Sequence, residues 1–156
     1  MAVVFDPARD LVFERVLDVA PAKAWACWTQ PTLLEQWFCP VPWRATDFEL
    51  DLRPGGRFKS VIRGPNGEVM PQSGCFLEVV PERRLVWTDA MEEGFRPRAE
   101  PFMSGTITFD PQGAGTLYRA VVLHANEETR AKHEAMGFQE GWGKAADQLV
   151  ALARTL

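Results

Sequence analysis

The last part of the chain carries a single apolar stripe of helical period. Phe138, Trp142, Ala145, Leu149 and Leu152 follow one another at intervals of four, three, four and three residues, which sets all five on one side of an α-helix. Such a helix needs an apolar surface to lie on. The residues before it offer a sheet. Asp47-Phe48-Glu49-Leu50-Asp51-Leu52 alternates strictly between polar and apolar, the period of a half-buried strand. Arg53-Pro54-Gly55-Gly56 reads as a turn, since glycine supplies positive φ at little steric cost. Arg57 to Arg63 returns as a strand, and Gly64-Pro65-Asn66-Gly67 turns again. Further strands are expected at 73–80, 84–89, 102–109 and 116–123, separated by Pro81-Glu82-Arg83, by 90–101 and by Pro111-Gln112-Gly113. Short turns between successive strands favour antiparallel neighbours. The expectation is one α+β domain over residues 1–156, in which a long C-terminal helix carrying Trp142 crosses an antiparallel sheet and shelters an apolar cavity.

The N-terminal third fits the same plan. Residues 11–19 make a strand with Leu11, Phe13, Leu17 and Val19 on one face, interrupted by Arg15. Pro21 stands where helices begin, because its missing N–H has no partner there in any case. Ala22 to Trp28 is predicted helical, Pro31 interrupts, and Thr32 to Trp37 forms a second piece with Thr32 as N-cap and Glu35 as its capping-box partner. Pro40 and Pro42 mark an irregular link. Asn126 with Thr129 offers starting chemistry for the long helix, although Gly137, Gly141 and Gly143 weaken its interior. No internal repeat, linker or low-complexity segment points to a second domain.

Composition excludes several function classes. The net charge is −4 with acids and bases interspersed, so no basic stripe serves nucleic acid. No apolar run approaches a membrane span, and the N-terminus Met-Ala-Val-Val-Phe-Asp lacks the layout of a secretion signal; a cytoplasmic location is expected. Cys27, Cys39 and Cys75 are an odd number without C-x-x-C spacing, which argues for buried reduced thiols rather than disulfides or structural zinc. His124 and His133 with scattered cysteines match no metal-ligand spacing, and Gly55-Gly56 is not a phosphate loop. No metal and no cofactor are expected.

Several segments carry a resemblance. They are Ala24-Trp25-Ala26-Cys27-Trp28-Thr29, Gln36-Trp37-Phe38-Cys39-Pro40, Asp51-Leu52-Arg53-Pro54-Gly55-Gly56-Arg57-Phe58, Gly74-Cys75-Phe76-Leu77-Glu78-Val79-Val80-Pro81, Leu85-Val86-Trp87-Thr88-Asp89 and Gly137-Phe138-Gln139-Glu140-Gly141-Trp142. In this order and spacing, over roughly residues 10–155, the chain resembles the START/Bet v 1-like (SRPBCC) superfamily. Within it, the chain is similar to the branch of the activator of Hsp90 ATPase C-terminal domain and a calicheamicin self-resistance protein. The resemblance implies a helix-grip fold: a curved antiparallel sheet of about six or seven strands around the C-terminal helix, two short helices after the first strand, and a cavity between. It does not imply one activity, since relatives include lipid and hormone binders, polyketide cyclases and co-chaperone modules.

Candidate residues follow from that cavity. Six tryptophans and ten phenylalanines against one tyrosine suit a thick core or pocket walls. Trp37, Phe38, Phe58, Trp87, Phe102, Phe138 and Trp142 are the candidate lining, a small-molecule pocket being mostly apolar with a few placed polar groups. His124, at the end of a strand facing the helix, is expected as a polar cavity wall or a satisfied structural histidine, with an acid–base role beside Asp89, Glu100 or Glu134 as the alternative. Cys75 shares a strand face with Leu77 and Val79 and is expected to point inward as a small hydrophobe. His133 is read as solvated on the polar side of the helix. Arg15 is read as an edge residue paired with an acid, with capture of a ligand carboxylate as the alternative.

The leading functional expectation is a binding protein for a small hydrophobic or amphipathic ligand, with no residue assigned a catalytic role. A cyclase- or hydrolase-type enzyme centred on His124 is the alternative. An Hsp90-type chaperone partner ranks last, because 156 residues leave no room for the additional N-terminal domain of the activator. Homodimerisation stays open.

Overall fold

The computed structural model describes residues 4–156; the first three positions of the N-terminal segment read for a secretion signal lie outside the described residues. In chain order the elements begin with β1 (Asp10–Leu17), α1 (Pro21–Thr29), α2 (Pro31–Trp37), β2 (Arg44–Leu50), β3 (Arg57–Arg63), β4 (Val69–Val80) and β5 (Arg84–Thr88). They continue with β6 (Met91–Glu92), β7 (Arg96–Pro97), β8 (Ser104–Gln112), β9 (Gly115–Leu123), α3 (Glu127–Ala135) and α4 (Phe138–Ala153). Seven strands form one open antiparallel sheet in the order β1-β9-β8-β5-β4-β3-β2, while β6 and β7 pair as a separate small hairpin. Consecutive strands β1 and β2 thus stand at opposite edges, and α1 and α2 carry the chain between them. β1 pairs along its whole length with β9, from Asp10 opposite Leu123 to Leu17 opposite Thr116.

Helix α4 packs on α1, α2 and β1. Its predicted stripe faces inward: Phe138, Ala145 and Leu149 are buried, with Trp142 and Leu152 half-buried against the core. The core has a polar tie, since the Trp28 indole N–H donates to the Tyr118 hydroxyl at 3.0 Å, satisfying the one donor that burying a tryptophan strands.

Local chemistry moved several predicted boundaries. The long C-terminal helix is two helices. Gly137 adopts φ 87°, a left-handed conformation that suits glycine and ends a helix, so α3 stops and α4 starts afresh. Asn126 does cap α3, accepting from the Thr129 N–H at 2.8 Å. Thr32 is not the N-cap of α2: Pro31 starts that helix after Gln30, without a side-chain cap, because its fixed φ already suits the first helical position. Glu35 instead accepts the Asp47 backbone N–H at 3.1 Å.

In β2 the alternation is interrupted at Asp47, whose φ of 55° accompanies a register shift between Thr46 and Glu49; Asp51 and Leu52 lie beyond the strand. β4 begins earlier than predicted, at Val69. β8 runs through Pro111 and Gln112, leaving a short turn at Gly113. A bulge between Phe76 and Glu78 inserts an extra residue into β4 and inverts the pleat. Cys75 therefore does not share a face with Val79, contrary to the strict alternation assumed from sequence. Phe76 takes the inner face, stacked on Phe58 with centroids 4.9 Å apart.

Candidate functional site

A cavity of about 840 Å3 opens between the sheet and the α3–α4 arm. Its size lies within the range of small-molecule sites, roughly 300–1,000 Å3. One wall comes from α1, α2 and the segment after α2: Trp28, Trp37, Phe38, Cys39, Pro40 and Trp43. The sheet contributes Phe58, Ser60 and Ile62 from β3, Gln72 to Gly74 from β4, and Trp87 and Thr88 from β5. The third side is Lys132, His133, Met136, Phe138, Gly141, Trp142 and Ala145, with Phe102 and Met103 closing one end.

The aromatic rings do two jobs at once. Trp28 lies 5.1 Å from Trp37 and 5.2 Å from Trp87, and Trp87 lies 5.8 Å from Phe58. Phe138 and Trp142 contact each other at 5.6 Å. Each ring packs on the core while presenting surface to the cavity, so the walls hold their shape through mutual contact rather than through a ligand. Trp87 reaches its position because its β8 partner is Gly105, where a Cβ would come within 2.7 Å of the indole.

The polar lining is mostly occupied. The Thr88 hydroxyl pairs with the Ser104 hydroxyl at 2.7 Å and accepts the Ala90 N–H at 3.0 Å. Asp89 Oδ1 accepts the N–H groups of Phe102 and Met103 at 2.8 and 3.0 Å, which holds the chain entering β8. Arg98 donates to the carbonyls of Ser73 and Asp89.

The two histidines part ways: His124 meets the expectation of a satisfied structural histidine, whereas His133 departs from its own. His124 is buried but does not line the cavity. Its Nδ1 lies 2.7 Å from the Arg9 carbonyl and its Nε2 lies 2.8 Å from Nδ1 of His133. Among the described residues Asp89, Glu100 and Glu134 make no bond to it, so the acid–base arrangement imagined around His124 is not formed. His133, expected in solvent, is buried and lines the cavity between Phe102 and Phe138, with ring centroids at 4.8 and 5.1 Å. Burial, and then the adjacent His124, push the His133 pKa down to about 4, so the ring is neutral at neutral pH. Continuing the α4 stripe backwards as one helix sets His133 on the outer side. The break at Gly137 re-aims α3; the glycine marks a helix end in the sequence, but the angle between α3 and α4 is set by packing.

Cys75 is likewise absent from the lining. The bulge turns it to the far face of the sheet, beneath the segment containing Phe95, whose backbone interacts with the thiol. Cys39 does line the cavity, and burial raises its pKa to about 11, as it does that of Cys27. These thiols stay protonated and weakly nucleophilic at neutral pH. Arg15 stays at the sheet edge: its Nη1 bonds Asp147 at 2.7 Å and the Gly143 carbonyl at 3.2 Å. Sequence reasoning also missed Ser60, a buried lining hydroxyl, and Gln148, whose bonds to the 37–41 segment shape one wall.

The model of one family, activator of Hsp90 ATPase homolog 1-like protein, matches residues 18–154. The chain belongs to that family. Several solved structures share its architecture closely. A Nitrosomonas europaea protein is 42% identical, with a TM-score of 0.94 over 97% of each chain. A Mycobacterium smegmatis protein is 26% identical, with a TM-score of 0.78 over 93% of this chain and 90% of that one. A Rhodobacter sphaeroides protein at 23% identity, TM-score 0.84 and 99% coverage of each chain shares the fold. No functionally curated protein matches the chain. Among the described residues no helix is long and apolar enough to cross a membrane.

Proposed function

We propose that the protein binds a small hydrophobic or amphipathic molecule in the cavity beneath the α3–α4 arm. The observation that carries this reading is the cavity itself: an open cleft of about 840 Å3 lined by rings that are already packed against one another. Protein interiors ordinarily close such space, since unfilled apolar volume forfeits dispersion contacts. A fold that spends Trp37, Phe58, Trp87 and Phe138 on walls rather than on filling the void is built to admit a guest. With His124 bonded on both nitrogens, the cyclase or hydrolase alternative lacks its acid–base centre, and binding without chemistry is the better-supported reading.

The test is a panel of lipids and aromatic metabolites screened by thermal shift and native mass spectrometry. A one-to-one complex with a raised melting temperature is expected, and its loss when Trp87 or Trp142 is truncated. A panel without a single specific binder sinks the reading. The family's name supports a second reading, an Hsp90-type chaperone partner. A pull-down against purified Hsp90 decides it, with binding that survives blockage of the cavity as its signature.

A further inference from the structure

We propose that the cavity recognises an uncharged apolar molecule bearing a hydroxyl group, and that Nε2 of His133 is the acceptor holding that hydroxyl. The inference rests on the cavity being a ligand site and adds the chemical class of the guest.

The argument is one of hydrogen counting. The Arg9 carbonyl can only accept, so the His124 nitrogen 2.7 Å away, Nδ1, carries the hydrogen. Where both rings are neutral, His124 then has a bare lone pair on Nε2. That lone pair faces Nδ1 of His133 at 2.8 Å, and the contact is a bond only if His133 Nδ1 carries its hydrogen. His133 is left with a bare Nε2. Among the described residues no group bonds this nitrogen, although the side chain is buried in the cavity wall. Of the side-chain nitrogens and oxygens of the described residues, only Arg57 Nε is both fully buried and without a hydrogen bond. Nε2 of His133 therefore keeps access to the cavity its ring lines, and a donor on a guest can pair it there.

The same tautomer chooses among guests. A neutral imidazole with a bare lone pair repels a carboxylate, which brings only acceptors. An ammonium could donate to it, but burying a charge among Phe102, Phe138 and Trp142 is costly. A hydroxyl donates and carries no charge. Phe102 and Phe138 flank His133 at 4.8 and 5.1 Å, so the group bearing the hydroxyl lies against aromatic surface. The Arg9 carbonyl and His124 act as positioning groups, since they fix the tautomer without touching the guest.

Two measurements test this on the full chain. The first uses 1-naphthol, 1-methoxynaphthalene and 1-naphthoate at pH 7.5, titrated by calorimetry into the native protein and His133→Phe. The native protein is expected to bind the naphthol about three- to tenfold more tightly than its methyl ether, the worth of one neutral hydrogen bond. His133→Phe is expected to abolish that preference while still binding the ether. Equal affinities in the native protein, a preference that survives His133→Phe, or strongest binding of the naphthoate each overturn the proposal while leaving the cavity a ligand site. Failure of all three to bind overturns the proposal, while the wider panel still decides whether the cavity is a ligand site. The second measurement needs no variant: long-range 1H–15N correlation spectra of the native protein report the histidine tautomers. An unprotonated Nε2 on His133 is expected, and a hydrogen on that nitrogen overturns the assignment.

Discussion

Gln148 on α4 donates to the carbonyl of Trp37 at 2.9 Å, joining two cavity walls that lie 111 residues apart in the chain. The same side chain donates to the Cys39 carbonyl at 2.8 Å and accepts the Val41 N–H at 3.1 Å. One amide therefore satisfies the last carbonyl of α2 and two backbone groups of the irregular segment that follows it. Gln148→Met keeps the length and removes all three bonds. The expected cost is about 2 kcal/mol, seen as a lower urea midpoint with unchanged slope, together with faster amide exchange at Val41. An unaltered midpoint and unaltered exchange would show that water replaces the side chain without loss.

Trp87 lies over Gly105, and an added Cβ there would approach the indole to 2.7 Å. Gly105→Ala must push the ring toward the cavity, with an expected loss of about 1–3 kcal/mol from overpacking. In a Trp87→Phe background the same substitution should cost measurably less, because the smaller ring leaves room. A double-mutant cycle in urea checks this; additivity of the two changes would refute the contact as the cause.

Gly141 lines the cavity within α4, and a Cβ there would meet nothing within 4 Å. Gly141→Ala is expected to stabilise the protein by about 0.5–1 kcal/mol through helix propensity. Gly141→Trp is expected to leave the fold intact while weakening cavity ligands at least tenfold, read by calorimetry with any ligand found in the panel. Undiminished binding in Gly141→Trp would place the guest elsewhere.

The depressed His133 pKa, about 4 against 6.5 for an ordinary histidine, makes stability depend on acidity. Between these values the unfolded chain binds a proton that the folded chain refuses. Stability is therefore complete above pH 6.5 and is lost as pH falls towards 4. From pH 7.5 to pH 5 this group's contribution amounts to a loss of about 2 kcal/mol. Urea unfolding at both values should show a smaller drop in His133→Phe than in the native protein. Equal drops in the two would assign the acid sensitivity to other groups.

The element plan was readable because it rests on local signals. The stripe Phe138, Trp142, Ala145, Leu149 produced α4, Pro21 started α1, and the hairpin turns at Gly55 and Gly67 lie where glycine adopts positive φ, whereas Pro31, which reads as an interruption before a Thr32 cap, itself starts α2. Seven of the candidate aromatics line the cavity, from Trp37 to Trp142, since a large apolar residue on an inward face has few other places to go. The misplaced residues share a cause. Cys75 and His133 lie off the faces that counting along a regular element predicts. One inserted residue in β4 and one left-handed glycine before α4 changed the count.

Period, capping chemistry and turn residues act within a few positions, so strand, turn and helix follow from the order of amino acids with little help from the rest of the molecule. Burial of a titratable group does not. His133 is neutral because Phe102, His124 and Phe138, drawn from three parts of the chain, close around it. Trp87 faces the cavity because Gly105 of the neighbouring strand clears its path. Pairing of that kind depends on sheet register and helix docking, which set distances that no stretch of sequence contains.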